Sequence, residues 1–225
     1  MTQPPNLYHS LDDLPPSARG SLLAIGNFDG VHLGHQAVIE NARAEADAGN
    51  HPLGVMLFNP HPRQFFAPDA PAFRLTRLPT RARLLAGLGV DFTLALPFDT
   101  NMANCTADEF IDRILIGALN ISGVSIGHDF HFGKGRQGTP DMLQQRGAAA
   151  GFDVFITSAV VQADGQTPYS SSAIRALLRD AKVREAATLM GHDWIIEGTV
   201  QHGDKRGRTI GFPTANMELG DYLQP

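Results

Sequence analysis

The sequence predicts an α/β fold built on an open parallel sheet. Three observations point to it: short apolar runs alternate with helical patterns, a glycine-rich turn links the first run to the first helix, and prolines fall where strands must stop. Ser21 to Phe28 reads as the first buried strand, followed by the turn Asn27 to Gly34 and a helix from Gly34 to Ala48. Leu53 to Phe58 is a second strand, ended by Pro60 and Pro62, which cannot continue a central ladder. Thr80 to Leu88 is helical with Thr80 as N-cap, and Phe92 to Leu96 is a third strand. Thr106-Ala107-Asp108-Glu109 is a capping box, in which threonine and glutamate satisfy each other's orphan amides, and it opens a helix to about Leu119. Val124 to Gly127 is a fourth strand, Thr139-Pro140 caps the next helix, and Phe152 to Thr157 is a fifth strand. Ser171 to Met190 reads as one helix stopped by Gly191. The character then changes: Trp194 to Gln201 alternates like a half-exposed strand and leads into the polar loop HGDKRGRTIG. This change divides the chain into residues 1–185 and 186–225.

Composition narrows the class. With 43% hydrophobic and 18% charged residues the chain is that of an ordinary folded protein. A net charge of −5 without a long basic run disfavours nucleic acid as a partner, but leaves room for a local anion site. The single cysteine, Cys105, excludes an internal disulfide framework and fits a reducing cytoplasm. The N-terminus lacks a basic segment followed by an apolar core, and no run approaches a membrane span, so neither a signal peptide nor a membrane partner is expected. Oligomeric state has no sequence signal.

The first chemical constellation is the turn after the first strand, Asn27-Phe28-Asp29-Gly30-Val31-His32-Leu33-Gly34-His35. In open parallel sheets ligands bind beyond the carboxyl ends of strands, where helix amides favour anions and glycines permit close backbone approach. His32 and His35, three residues apart, can face the same side of the turn and donate to a triphosphate. Two histidines beside a glycine turn are also compatible with a bare surface or a metal. Zinc is the weaker reading, because neither cysteine nor a well-spaced third histidine accompanies them.

With its preceding residues, Gly26-Asn27-Phe28-Asp29-Gly30-Val31-His32-Leu33-Gly34-His35 resembles the signature of the prokaryotic bifunctional riboflavin kinase/FMN adenylyltransferases, or FAD synthetases. The resemblance implies a Rossmann-like nucleotidylyltransferase domain with an open parallel sheet, followed by the incomplete start of a β-barrel domain. It implies that His32 and His35 contact ATP phosphates and the reacting centre. It also implies that Gly26, Asn27, Phe28, Asp29, Gly30 and Gly34 shape the ATP site.

Three further motifs follow in the family's order. Phe58-Asn59-Pro60-His61-Pro62-Arg63 is, on its own, a rigid proline turn. It resembles a Phe-x-Pro-His-Pro segment, which implies that His61 lines the nucleotide site, although Asn59 stands where an acid is often seen. Gly127-His128-Asp129-Phe130-His131-Phe132-Gly133 resembles a Gly-x-Asp-Phe-x-Phe-Gly motif, implying substrate contacts for Asp129 and Phe130. The GKGRQG beyond it fits G-x-G-x-x-G, but it lies late in the sheet and carries long basic residues that would crowd a tight pyrophosphate turn. Ser171-Ser172-Ala173-Ile174-Arg175 opens the late helix. At least one serine there is a cap, yet hydroxyls, free amides and a bidentate arginine also make an anion site. The family carries Ser-Ser-Thr-x-Ile-Arg here, so Ser171, Ser172 and Arg175 resemble its phosphate contacts, with Ser172 keeping the hydroxyl of the threonine it replaces.

Gly198 to Asn216 resembles the start of the riboflavin kinase barrel, where Thr214 and Asn216 would touch nucleotide and Thr214 would touch magnesium in a complete domain. Because the chain stops at Pro225, kinase activity is expected to be absent. The expected reaction is adenylylation of FMN by ATP with magnesium, giving FAD. No P-loop and no nucleophile elbow occur in the sequence. The competing readings are adenylylation or cytidylylation of another phosphorylated acceptor, and a non-catalytic flavin- or nucleotide-binding regulator.

Overall fold

A computed structural model describes residues 6–162, 164–201, 211 and 216–224. Thr214 lies outside the described residues. Among them, six strands form one sheet in the order β1 (Leu7–Tyr8), β4 (Phe92–Pro97), β3 (Leu53–Asn59), β2 (Leu22–Ile25), β5 (Gly123–Gly127), β6 (Asp153–Thr157). Every neighbouring pair is parallel. Strand order therefore reverses direction at β2, which has β3 on one side and β5 on the other. That switch point is where an open sheet leaves a crevice beyond its strand ends.

Alternation along the strands builds two cores. Leu23 and Ile25 of β2 join Met56, Leu94 and Ile126 on one face, against Phe110, Ile111, Leu115 and Leu143. Leu22 and Ala24 join Val55, Leu57 and Ala95 on the other, against Ile39 and Ala42 of α1 (Leu33–Ala48) and Leu85 of α3 (Leu78–Gly87). A third cluster gathers Leu75, Ile174 and Leu178 of α7 (Ser171–Arg179), Leu189 and Met190 of α8 (Val183–Met190), and Leu223.

Most expected elements are present, and four expectations change. The two-residue β1 pairs with β4 and has no counterpart in the sequence reading. Helix α3 starts at Leu78 rather than being capped by Thr80, because a proline in the first turn needs no amide partner; the Thr80 hydroxyl instead donates to Glu197. The helix expected over Ser171–Met190 is two helices, turning at Ala181 in the left-handed region (φ 57°). The turn lets Ile174 and Leu178 of one, and Ala186, Leu189 and Met190 of the other, close over the third cluster. Of the strand expected over Trp194–Gln201, only β7 (Val200–Gln201) forms, paired antiparallel with β8 (Asn216–Met217). Instead of joining a ladder, Trp194 donates its indole N–H to the Leu75 carbonyl, and Glu197 accepts from Thr80 and Arg77 while its amide donates to the Tyr222 hydroxyl.

The capping box is present: Thr106 accepts from the Glu109 amide, and the Thr106 amide donates to the Glu109 carboxylate at 2.8 Å. The helix it opens continues from Phe110 to Ala118 in the wider π winding, burying Phe110, Ile111, Ile114 and Leu115.

Candidate active site

A cavity of about 910 Å³ opens beyond the carboxyl ends of the strands and is walled by segments following β2, β3, β4, β5 and β6 and by the start of α7. This is within the range of small-molecule sites, which run to roughly 1,000 Å³.

The turn after β2 is held in a costly backbone shape. Phe28 (φ 49°) and Val31 (φ 42°) are non-glycine residues in the left-handed region, and Val31 is β-branched. Both are buried, so packing enforces the conformation. It ends at His32, the N-cap of α1, whose Nδ1 accepts from the His35 amide at 3.3 Å. That bond places the proton of the neutral ring on Nε2. The His32 and His35 rings stack with centroids 3.6 Å apart and planes 20° from parallel, both lining the cavity. The Nδ1 of His35 and the Oδ1 of Asn27 are sealed from solvent and have no partner among the described residues. Unsatisfied buried polar atoms are costly, and these two store strain in residues that stand in the cavity wall.

Burial keeps the three histidines of this wall uncharged. Burial lowers His32 to about 4, with Arg175 adding to the effect and Asp29 opposing it. Burial, His32, Arg81 and Arg175 hold His35 well below its usual range. Burial likewise brings His61 to about 4, against the opposing pull of Asp29. Neutral imidazoles stack at 3.6 Å without repulsion, and each can still donate one N–H.

Asp29 has a different role from the phosphate contact that was expected. It is 2% exposed and its carboxylate is filled by protein donors. Leu75 and Thr76 donate their amides at 3.0–3.1 Å, Thr76 its hydroxyl at 3.2 Å, Arg81 Nη2 at 3.0 Å and Arg175 Nη2 at 2.7 Å. Burial alone would raise this carboxyl, but the two guanidiniums and two amides outweigh it and hold it below the ordinary range. A buried carboxylate with paired donors is an anchor, and what it anchors is Arg175. Arg175 also donates from Nε to the Phe73 carbonyl at 2.8 Å; among the described residues nothing bonds its Nη1.

The glycines of the turn serve packing as well. Gly30 does not line the cavity: its φ is 88° and a Cβ there would sit 2.8 Å from Leu75 Cδ1, so the residue lets Leu75 close over the turn. Gly34 does line it, and a Cβ there would press on the His32 ring at 3.2 Å and on Tyr169 at 3.3 Å. Gly26 and Phe28 also stand in the wall.

At the start of α7 the serines divide their work. Ser170 is the N-cap, accepting from the Ala173 amide, and Ser171 donates to the Asp29 carbonyl at 2.9 Å. Ser170, Ser171 and Arg175 line the cavity, while Ser172 is exposed on the far side of the helix start and does not. The structure thus brings Ser170 to the wall where Ser172 was expected.

His61 caps the short helix α2 (Pro62–Phe66), accepting from the Arg63 amide at 3.0 Å, and packs edge-on against Phe73. Asp129 and Phe130 sit in the wall after β5, flanked by His128 and His131, which were not singled out as contacts. The GKGRQG stretch forms a turn closed by a bridge between Phe132 and Gly138, and Gly133, Gly135 and Arg136 face the cavity. Asn216 lies in exposed β8, outside the cavity wall. Three residues the sequence did not reveal complete the site's support: Thr76, Arg81, which also grips the Asn27 carbonyl at 2.8 Å, and Leu75. They lie 46 to 54 positions from the residues they hold, beyond any local pattern.

Comparison with known proteins agrees with this geometry. A family model described as FAD synthetase matches residues 14–173, and one described as riboflavin kinase matches residues 190–225. The bifunctional riboflavin kinase/FMN adenylyltransferase of Escherichia coli (strain K12) is 44% identical over 217 residues, covering 96% of this chain and 68% of that protein. The protein of the same name from Pseudomonas fluorescens is 41% identical over 213 residues, covering 95% of this chain and 68% of that one. A crystal structure described as a macrolide-efflux protein from Streptococcus pneumoniae matches with a TM-score of 0.81 at 32% identity, over 95% of this chain and 68% of that one. Among the described residues, no helix here is long and apolar enough to cross a membrane. The cavity, the histidine pair and the arginine it presents all lie in or within two residues of the segment matched by the first model, and the chain belongs to the FAD synthetase family.

Proposed function

We propose that this chain transfers the adenylyl group of ATP to FMN, releasing pyrophosphate and forming FAD. The observation that carries the reading is the neutral, stacked His32–His35 pair facing the same cavity as Arg175, whose Nη1 nothing bonds among the described residues. An oxygen of the FMN phosphate attacks the α-phosphorus of ATP in line, one P–O bond forms, and the bond to the bridging oxygen of pyrophosphate breaks. The attacking phosphate is already anionic, so catalysis reduces to positioning and to donors aimed at the charge that develops.

In this reading His32 Nε2–H, the His35 ring and Arg175 donate to the triphosphate, with the α7 amides beside Ser170 and Ser171 adding a helix N-terminus. ATP is taken as its magnesium complex. A magnesium ion carried on the phosphates needs only one or two protein oxygens, and among the described residues no group of three histidine, cysteine or carboxylate side chains gathers to hold a metal. The flavin would lie on the aromatic side, where Phe58, Phe66 and Phe98 line the cavity and Phe66 is 68% exposed at its rim. Phe66 meets Phe65 and Phe98 edge-on, which leaves a ring face for a planar heteroaromatic system to lie against.

The acceptor is tested by offering FMN, riboflavin and unrelated phosphorylated acceptors separately, each with ATP and magnesium, and separating the products by chromatography. FAD appearing only with FMN is the expected result. Adenylylation of a non-flavin acceptor at a greater rate would replace this reading, and binding of FMN and ATP without pyrophosphate release would make the chain a regulator.

A further inference from the structure

Among the described residues, none after α8 lines the cavity, yet several of them grip the stretch that holds its anchor. Trp194 Nε1 donates to the Leu75 carbonyl at 2.9 Å. The Leu223 amide donates to the Arg74 carbonyl at 2.8 Å, and the Arg74 amide to the Asp221 carbonyl at 3.3 Å. The Asp221 carboxylate pairs with Arg74 at 3.1 Å and Arg77 at 2.9 Å. Leu75 is thus held through its carbonyl by Trp194, while its amide reaches both oxygens of Asp29. Asp29 in turn holds Arg175 at 2.7 Å, and Leu75 and Ile174, the neighbour of Arg175, share one apolar cluster with Leu223. Neither Trp194 nor Asp221 lines the cavity.

The geometry points to Trp194 and Asp221 as positioning residues for Arg175, acting through residues 73–76 and Asp29. The opening of the second segment thereby sets how well the first grips nucleotide phosphate. A guanidinium aims its free Nη1 only as well as its other nitrogens are held, and two of them end on groups of this relay: Nε on the Phe73 carbonyl and Nη2 on Asp29. The inference rests on Arg175 gripping phosphate, as in the proposed reaction.

The test is a double-mutant cycle read in ATP affinity by calorimetry and in kcat and KM for FAD formation. Trp194→Phe removes the indole donor and keeps the ring, and Asp221→Asn removes both ion pairs from a side chain that is 35% exposed. Each is expected to weaken ATP binding about tenfold in the wild-type background and to have no further effect in Arg175→Ala, because the coupling passes through that side chain. A merely structural role would lower the melting temperature and weaken ATP binding equally in both backgrounds. That result, or unchanged ATP affinity in both variants, would overturn the relay while leaving FAD synthesis standing. If the wild-type chain binds ATP but makes no FAD, the reaction reading fails and the affinity cycle still decides the relay. A wild-type chain that binds no ATP would overturn both.

Discussion

Arg175 carries the account at the scale of single residues, because one buried carboxylate holds it and one free nitrogen is left for a ligand. Replacing Arg175 or His35 by alanine is expected to lower FAD formation about 100- to 1,000-fold, the usual cost of losing one preorganised donor. The fold is expected to survive Arg175→Ala, since Asp29 keeps Arg81 and the Leu75 and Thr76 donors. Circular dichroism and chromatographic turnover measure the two halves of that statement, and near-normal turnover in both variants would remove the assigned roles. The same histidines make stability depend on pH. His32 and His61 titrate at about 4 in the folded chain against an ordinary 6.5, so between those values the unfolded chain binds more protons. Stability is therefore full above pH 6.5 and falls as pH drops toward 4, by at most ~1.4 kcal/mol per pH unit for each histidine. Urea unfolding midpoints across that window check it: a falling midpoint, with a shallower fall in His32→Asn, is the expected outcome, and a flat profile would contradict the burial of these rings.

Individual elements show what a sequence can and cannot convey. Strands β2 to β5 were legible because each is an apolar run closed by glycine, proline or asparagine, β6 because a short apolar run follows Gly151, and α1 because a glycine turn precedes its periodic face. The two residues of β1 are too few to show any period. The break between α7 and α8 carries neither glycine nor proline; it is made by the exposed Ala181 at φ 57°, where its amide donates to the Leu178 carbonyl and the Lys182 amide to the Leu177 carbonyl. An L-residue there costs about 1 kcal/mol or more, so Ala181→Gly is expected to stabilise the chain by about 0.5–1 kcal/mol after glycine's own entropy is counted. Guanidinium unfolding would show it, and a loss of stability would mean that the turn is held differently. Within the site, the histidine pair, Arg175 and the serine cap were legible as local spacings. The Asp29 anchor was not, since a carboxylate in a phosphate motif reads as a ligand contact until Arg81 and Thr76 are seen to fill it.

For the whole molecule, a single reversal of strand order produces one cavity, and four motifs spread from Gly26 to Arg175 converge on it. That convergence is why separate weak signals in the sequence combine into a specific one. It also explains why the support from Trp194, Asp221 and Leu223 stayed hidden: alternation over Trp194–Gln201 suggested a strand, while these residues are spent on holding Arg74, Leu75 and Arg77. The central claim is that the cavity joins the α-phosphorus of ATP to the phosphate of FMN. The most direct measurement follows ATP labelled at its α-phosphorus, with FMN and magnesium, by chromatography of the products. The account predicts label in FAD and none in the pyrophosphate released with it; label confined to ATP, or found in AMP or ADP with no labelled FAD, would contradict it.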